Sequence, residues 1–436
     1  MKTFYKFFNK INFSDLDLFS LGSSAVVYYF IIFYLMPILA LLGVSIKFVP
    51  ASSVIPYKAL GYATVGLIFF IIGYFNKFPI LAGRKLPNNL GREWDFSRVS
   101  WVFGITFLFG LIIKATRILS GGYYHIKVSS FFLQGPFYSL IGTLDWMSYI
   151  ALAIAFIVYF QFKRIGDTRY KIWRFIAWGS LSLEMFYALP SCGRMAIITP
   201  LIIYLIVRWY ILERNFWNIF LVVGMVVLFI FPVGNACRHP QALMGYQITS
   251  MAGGESPPIS LVLNSGRFAT DSFLSRINQS VILAAIINNP QPLEYGKSFK
   301  EIMFVFGPPR SIWKDKPLSI NASGNEFGHR IGVLGENDRI TGVGPTMVGD
   351  WFINFGLAGV IFGMLLMGML FRLIYEYLIK FTGESLSGVM IYSIFWIQII
   401  KGMEDWIAPV YIGLIRIFVI LLIIHFLMSK KIIPEK

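Results

Sequence analysis

Residues 348–370 read VGDWFINFGLAGVIFGMLLMGML. After Asp350 no charge follows until Arg372. A helix needs about 20 apolar residues to cross the roughly 30 Å hydrocarbon core of a bilayer. The stretch therefore reads as a membrane span, placed at 352–373. Gly356, Gly359 and Gly363 follow at spacings of three and four, which puts them on one helix face and permits close backbone packing.

Working outward, comparable apolar runs lie near 21–46, 57–75, 98–118, 139–160, 171–190, 195–213, 217–236, 386–402 and 407–428. The chain is 56% hydrophobic and only 14% charged, where a soluble domain carries about 25% charge. The expected class is all-α: a polytopic integral membrane protein with about ten transmembrane helices and room for eleven or twelve. Three parts follow: a bundle over 1–236, a large and partly helical external loop over 237–351, and C-terminal spans over 352–436. Pro37 is expected to kink the first span. The aromatic, Gly-rich stretch 114–138 suits an interfacial helix. The run after Lys2, Lys6 and Lys10 is too long for a cleavable signal peptide.

Charge sets the orientation. The N-tail, the C-tail and every second short gap hold 20 Lys and Arg, while the short gaps between them hold seven. By the positive-inside rule both termini are cytoplasmic and the long loop is external. The net charge of +16 is accounted for by these topology signals and by anionic lipid headgroups, so no nucleic-acid partner is expected. Cys192 and Cys237 form no metal motif. Asp15 and Asp17 have a metal-holding spacing, but in a short tail with no domain behind it. No P-loop, nucleophile elbow or zinc motif occurs. No cofactor and no metal is expected.

The external loop is rich in cations, among them Arg267, Arg276, Arg310 and Arg330. Its middle, SGRFATDSFLSRINQSVILAAIINN, has helical apolar periodicity. Arg267 and Arg276, nine residues apart, point about 180° from one another on such a helix. Arg267 has two readings, an i,i+4 pair with Asp271 or an anion ligand. The Gly, Pro and Asn-rich stretch that follows suits a substrate with diphosphate and sugar parts, because Arg binds phosphate bidentately and aromatic faces cover sugar rings. His329, three residues after Glu326, is the general-base candidate; the alternative is a surface histidine. Arg194, Lys114 and Arg117 sit at the expected outer interface, either snorkelling or meeting a lipid phosphate. Glu184 and Arg416 lie deep within spans, and mutual pairing is the simplest expectation. Glu404 and Asp405 are the alternative partners.

On SCGRMAII, GRFATDSFLSRINQ and GPTMVGDWFINFGLAGV, in that order, the chain resembles the O-antigen polymerases (Wzy type) and related polymerases of oligosaccharide repeat units. The resemblance covers the whole arrangement of spans and late external loop. It implies a glycosyltransferase that moves a growing glycan from undecaprenyl diphosphate to the non-reducing sugar of another lipid-linked unit, outside the membrane. It implies external arginines that bind diphosphate, which fall here on Arg194, Arg267 and Arg276, and a chain-length regulator protein as a partner. A diphosphate is already a good leaving group, so a metal is not required. A ligase that moves finished glycan, or a flippase or transporter for lipid-linked glycans, are the alternatives.

Overall fold

The computed structural model describes residues 17–42, 56–119, 142–188, 194–212, 278–289, 292–296, 299–300, 324–335 and 342–430, with 219, 222 and 224 singly. Among these residues every regular element is helical. The helices are α1 (Leu21–Phe30), α2 (Tyr57–Tyr74), α3 (Phe78–Lys85), α4 (Phe96–Leu119), α5 (Trp146–Ile165), α6 (Tyr170–Ala188), α7 (Arg194–Ile211), α8 (Gln279–Asn288), α9 (Gly324–Arg330), α10 (Thr346–Tyr375), α11 (Leu386–Gly402) and α12 (Ile407–Met428). Six stretches are long and apolar enough to cross a membrane: Leu21–Leu39, Tyr57–Tyr74, Phe96–Thr116, Gly142–Ile165, Thr346–Lys380 and Ile407–Met428. Helices also form at the expected positions of α6, α7 and α11, while the run at 217–236 lies almost wholly outside the described residues.

The sequence explains the local geometry. Ser20 caps α1 by accepting from the Ser23 amide (3.2 Å), as a serine at an N-cap should. Pro37 has no N–H to give, and the helix answers with a π turn over Ile31–Leu35 before it resumes at Met36–Leu41. Gly166, at φ 72°, ends α5 in the left-handed conformation that suits glycine. α5 is the most central helix, with Ile150 through Phe160 buried on every face, the pattern of a helix surrounded by others. It lies between α4, α6, α7 and α11. α2 and α10 cross through glycines: a Cβ on Gly73 would overlap the Leu365 carbonyl, and one on Gly368 the Phe70 carbonyl. Without a hydrophobic drive between helices in lipid, such close backbone contact is what holds a pair together.

One end of the bundle is tied by crossings between short connections. Asp17 is buried and accepts from Trp209 Nε1 (2.9 Å), Tyr210 OH (2.9 Å), Tyr375 OH (2.7 Å) and the Phe19 amide (3.2 Å). Trp94 Nε1 donates to Ser387 Oγ (2.6 Å), which meets His425 Nδ1 (2.6 Å), and His425 Nε2 meets the Asn89 carbonyl (3.0 Å). On the surface there, Lys430 pairs with Glu93 at 2.7 Å and holds that carboxyl below its ordinary range through the hydrogen bond and its charge. The start of α1 and the ends of α7, α10 and α12 thus share one end.

The apolar segment at 346–375 departs from a single straight span. Gly356 has φ 62° and ψ −146°, a region that only glycine enters cheaply, and the helix breaks there. Residues 346–355 fold back as an arm against the shaft 357–375. Gly359 receives the Trp351 carbonyl, Gly363 receives the Trp351 ring, and Val348 and Met364 both lie against Gly66. The glycine face is therefore real, but it packs against the chain's own arm.

Candidate functional site

The arm reaches inward. Met364, level with Val348, lies seven residues into the shaft, about 10 Å from its start at 1.5 Å per residue. The arm's tip at Thr346 is then about 15 Å from the turn at Gly356, measured along the shaft. Thr346 is fully buried with φ 66°, an uncommon conformation for a β-branched residue. Its hydroxyl accepts from the Gly349 amide (3.2 Å), and the Met347 amide donates to the Met403 carbonyl (3.0 Å). At the other end of the arm, the amides of Glu294 and Tyr295 donate to the carbonyls of Ile353 (3.1 Å) and Asn354 (3.0 Å), which would otherwise be left open at a helix C-terminus.

One polar group holds this arm to α12, and a second steadies it. Asp350, fully buried, accepts from the Ile407 amide through Oδ2 (2.8 Å) and from Asn354 Nδ2 through Oδ1 (2.9 Å). The carboxylate thereby faces the first turn of α12, where exposed amides and the helix dipole favour negative charge. Asn354 Oδ1 accepts from the Gly296 amide (3.0 Å). Beside them, Glu404 of the α11–α12 turn is partly buried and accepts a hydrogen bond from Tyr28 OH of α1. Gly344 packs directly on the Glu404 carbonyl.

The helix that carries His329 docks on the same turn. Phe327 of α9 meets Trp406 edge to face, with centroids 5.0 Å apart, and Val343 and Ile286 complete the apolar contact. Glu326 and His329 lie one helical turn apart on α9, Glu326 exposed and His329 partly so. Arg330 pairs with Glu294 at 3.7 Å and lies over the Phe327 ring. Phe327 thus seats α9 on the turn that carries Glu404, part-way along the bundle beside Tyr28 of α1. Imidazole and carboxylate groups can take a proton from a hydroxyl.

The other sequence candidates divide three ways. Arg194 begins α7, whose far end carries Trp209 and Tyr210 on Asp17, so its backbone lies toward the end opposite Asp17. Arg117 ends α4, with a side chain outside the described residues, and Arg267, Arg276 and Arg310 are outside them altogether. Lys114 is different from expectation: it is buried, forms an ion pair with Glu184, and lies over the rings of Tyr149 and Tyr187 (5.3 and 4.7 Å). The expected Glu184–Arg416 pair is corrected accordingly. α4 and α6 both pack on α5, which brings Lys114 to Glu184, while Arg416 stands exposed on α12 with no ion pair among the described residues.

Sequence reading missed Tyr28, Asp350 and Asn354. The last two carried a signal, since polar groups four residues apart in an apolar run share a helix face and rarely lack a partner. Compared with protein families, curated proteins and solved structures, the chain matches no family model, no curated protein and no solved structure.

Proposed function

We propose that the protein polymerises undecaprenyl-diphosphate-linked oligosaccharide repeat units at the outer face of a bacterial plasma membrane. The observation that carries the reading is the polar region built by the folded-back arm, the Glu404 turn and the His329 helix. It lies farther along the bundle from the Asp17 end, which holds Lys430 and the cation-rich 77–98 connection and which the positive-inside rule assigns to the cytoplasm. In this reading about ten helices span the bilayer, both termini are cytoplasmic and the 237–351 loop is external. The acceptor hydroxyl attacks the anomeric carbon, the bond to the diphosphate oxygen breaks, and the hydroxyl proton passes to His329, oriented or replaced by Glu326. Arg194, Arg267 and Arg276 meet the departing diphosphate, with Arg310, Arg330 and Arg117 as further cations; Lys114 is already committed to Glu184. A chain-length regulator is the proposed protein partner.

Purified protein incubated with one lipid-linked repeat unit tests this: a ladder of products is expected, and a lasting absence of any product longer than the donor removes the reading. A ligase would give one transfer to an unlike acceptor and no ladder. A transporter reading has one observation of its own, the broken α10 with a helix start buried near mid-depth, a device by which transporters line their sites. Movement of the lipid-linked unit across vesicles without bond exchange would favour it. Impermeant labelling of single cysteines at Ser256 and Ser323 in intact cells tests the orientation.

A further inference from the structure

At the Asp17 end an apolar groove of ≈ 470 Å³ opens between α10, α11, α12 and the 86–90 connection. Aromatic rings of Tyr377, Phe395, Phe418 and Phe426 form much of its wall, with Leu422 between them. Phe426 is 49% exposed, so the groove opens sideways from a helix that is apolar enough to sit in a bilayer. His425 shapes its floor by holding the Asn89 carbonyl.

The charges around the mouth are unevenly matched. Arg98 is paired with Asp95 at 3.2 Å, Lys430 with Glu93 at 2.7 Å and Arg372 with Glu376 at 2.6 Å. Arg92 has no carboxylate partner among the described residues, and its guanidinium lies over the Phe426 ring, 5.5 Å from the centroid. A neutral hydrocarbon would fill the groove and leave Arg92 unmatched. A free anion would match Arg92 and leave the rings open. A molecule with a phosphate on an apolar chain satisfies both, since guanidinium binds phosphate with directed hydrogen bonds and cations at a bilayer surface attract anionic lipid.

We propose that this groove binds one anionic glycerophospholipid, its phosphate on Arg92 and one acyl chain along Phe395, Phe418 and Phe426. The site is separate from the His329 helix and does not depend on the polymerase reading.

The test uses the full chain, stripped of lipid in neutral detergent and titrated with phosphatidylglycerol or with phosphatidylcholine of the same acyl chains, read by native mass spectrometry. One phosphatidylglycerol is expected to remain under conditions that remove phosphatidylcholine. R92Q is expected to lower its retention at least about fivefold, the loss of one charge-assisted contact. L422W, which fills the groove without touching Arg92, is expected to do the same, and F426L offers a milder change should L422W not fold. K163Q, which removes a cation at the end of α5, is expected to change nothing. Equal retention of the two lipids, or wild-type retention by R92Q, overturns the proposal. Displacement of the lipid by inorganic phosphate alone would reduce the site to an anion site and overturn the acyl part.

Discussion

Two regions of the bundle solve the same problem, polar groups beside an apolar interior, in opposite ways. At the Asp17 end the carboxylate takes hydrogen bonds from α7, α10 and its own turn, and short connections cross over one another. At the Glu404 turn the carboxylate accepts from Tyr28, stays partly exposed, and lies beside segments that arrive from a long loop. Short connections lock; long ones bring chemistry to a fixed frame. In the proposed reaction, stability would fall to the first region and turnover to the second.

The largest effect is expected in the second region. His329→Ala, alone or with Glu326→Ala, should lower single-turnover transfer by about 10²–10⁴ with thermal stability retained. Should both variants keep the wild-type rate while Glu404→Gln is inactive, the base is Glu404, and α9 serves only to cover it. Should all three stay active, the comparison between the regions fails.

The buried pair comes next. Lys114→Ala or Glu184→Ala should each destabilise by about 3–5 kcal/mol, because the remaining charge is stranded away from water. The double change to apolar residues of similar size, K114M with E184L, should recover much of that loss. Arg416→Ala should leave the folded fraction in the membrane near wild type. A loss at Arg416 matching that at Glu184, measured by size-exclusion chromatography after heating, would restore the pairing expected from sequence.

A smaller effect is expected for Asp17→Asn, about 1.5–3 kcal/mol, since hydrogen bonds to a charged acceptor become bonds to a neutral amide. Melting temperature should fall while the rate per folded molecule holds; the reverse pattern would make the Asp17 end part of the reaction. Gly356→Ala should cost about 1–3 kcal/mol in backbone strain and also slow transfer, because the arm can no longer turn back without distortion. If it melts as wild type does, the fold of the arm described here is wrong.

The surface pair Glu93–Lys430 should matter least. The folded carboxyl titrates below its unfolded value, so its contribution is present above the unfolded range and disappears as pH falls through the folded one. Both partners are well exposed, and solvent screens such pairs. Lys430→Gln should therefore lower the melting temperature slightly at neutral pH and leave the acid end of the profile unchanged, where the pair is already lost.

The sequence by itself determined that the chain is helical and apolar enough for a membrane, and where most helices begin and end. Apolar runs and their breaks report a residue's immediate neighbours along a helix, and that information is local. It placed α2, α4 and α12 within a few residues, marked His329 and Glu326 as groups that could react, and gave Glu404 only as an alternative partner for a deep charge. It also marked Glu184 and Arg416 as costly at depth, and left Lys114 at the interface. Position along a span could not choose the partner, because depth within one helix does not say which other helix packs beside it. Only packing decided: α5 stands between α4 and α6, so the lysine reached the glutamate first. The same holds for the glycines at 356, 359 and 363. Their spacing announced a close contact, but whether a second helix or the chain's own arm would fill it depended on one backbone conformation at Gly356. That conformation is affordable only in the presence of Trp351, Asp350 and the Glu404 turn, which tertiary structure brings together from distant parts of the chain.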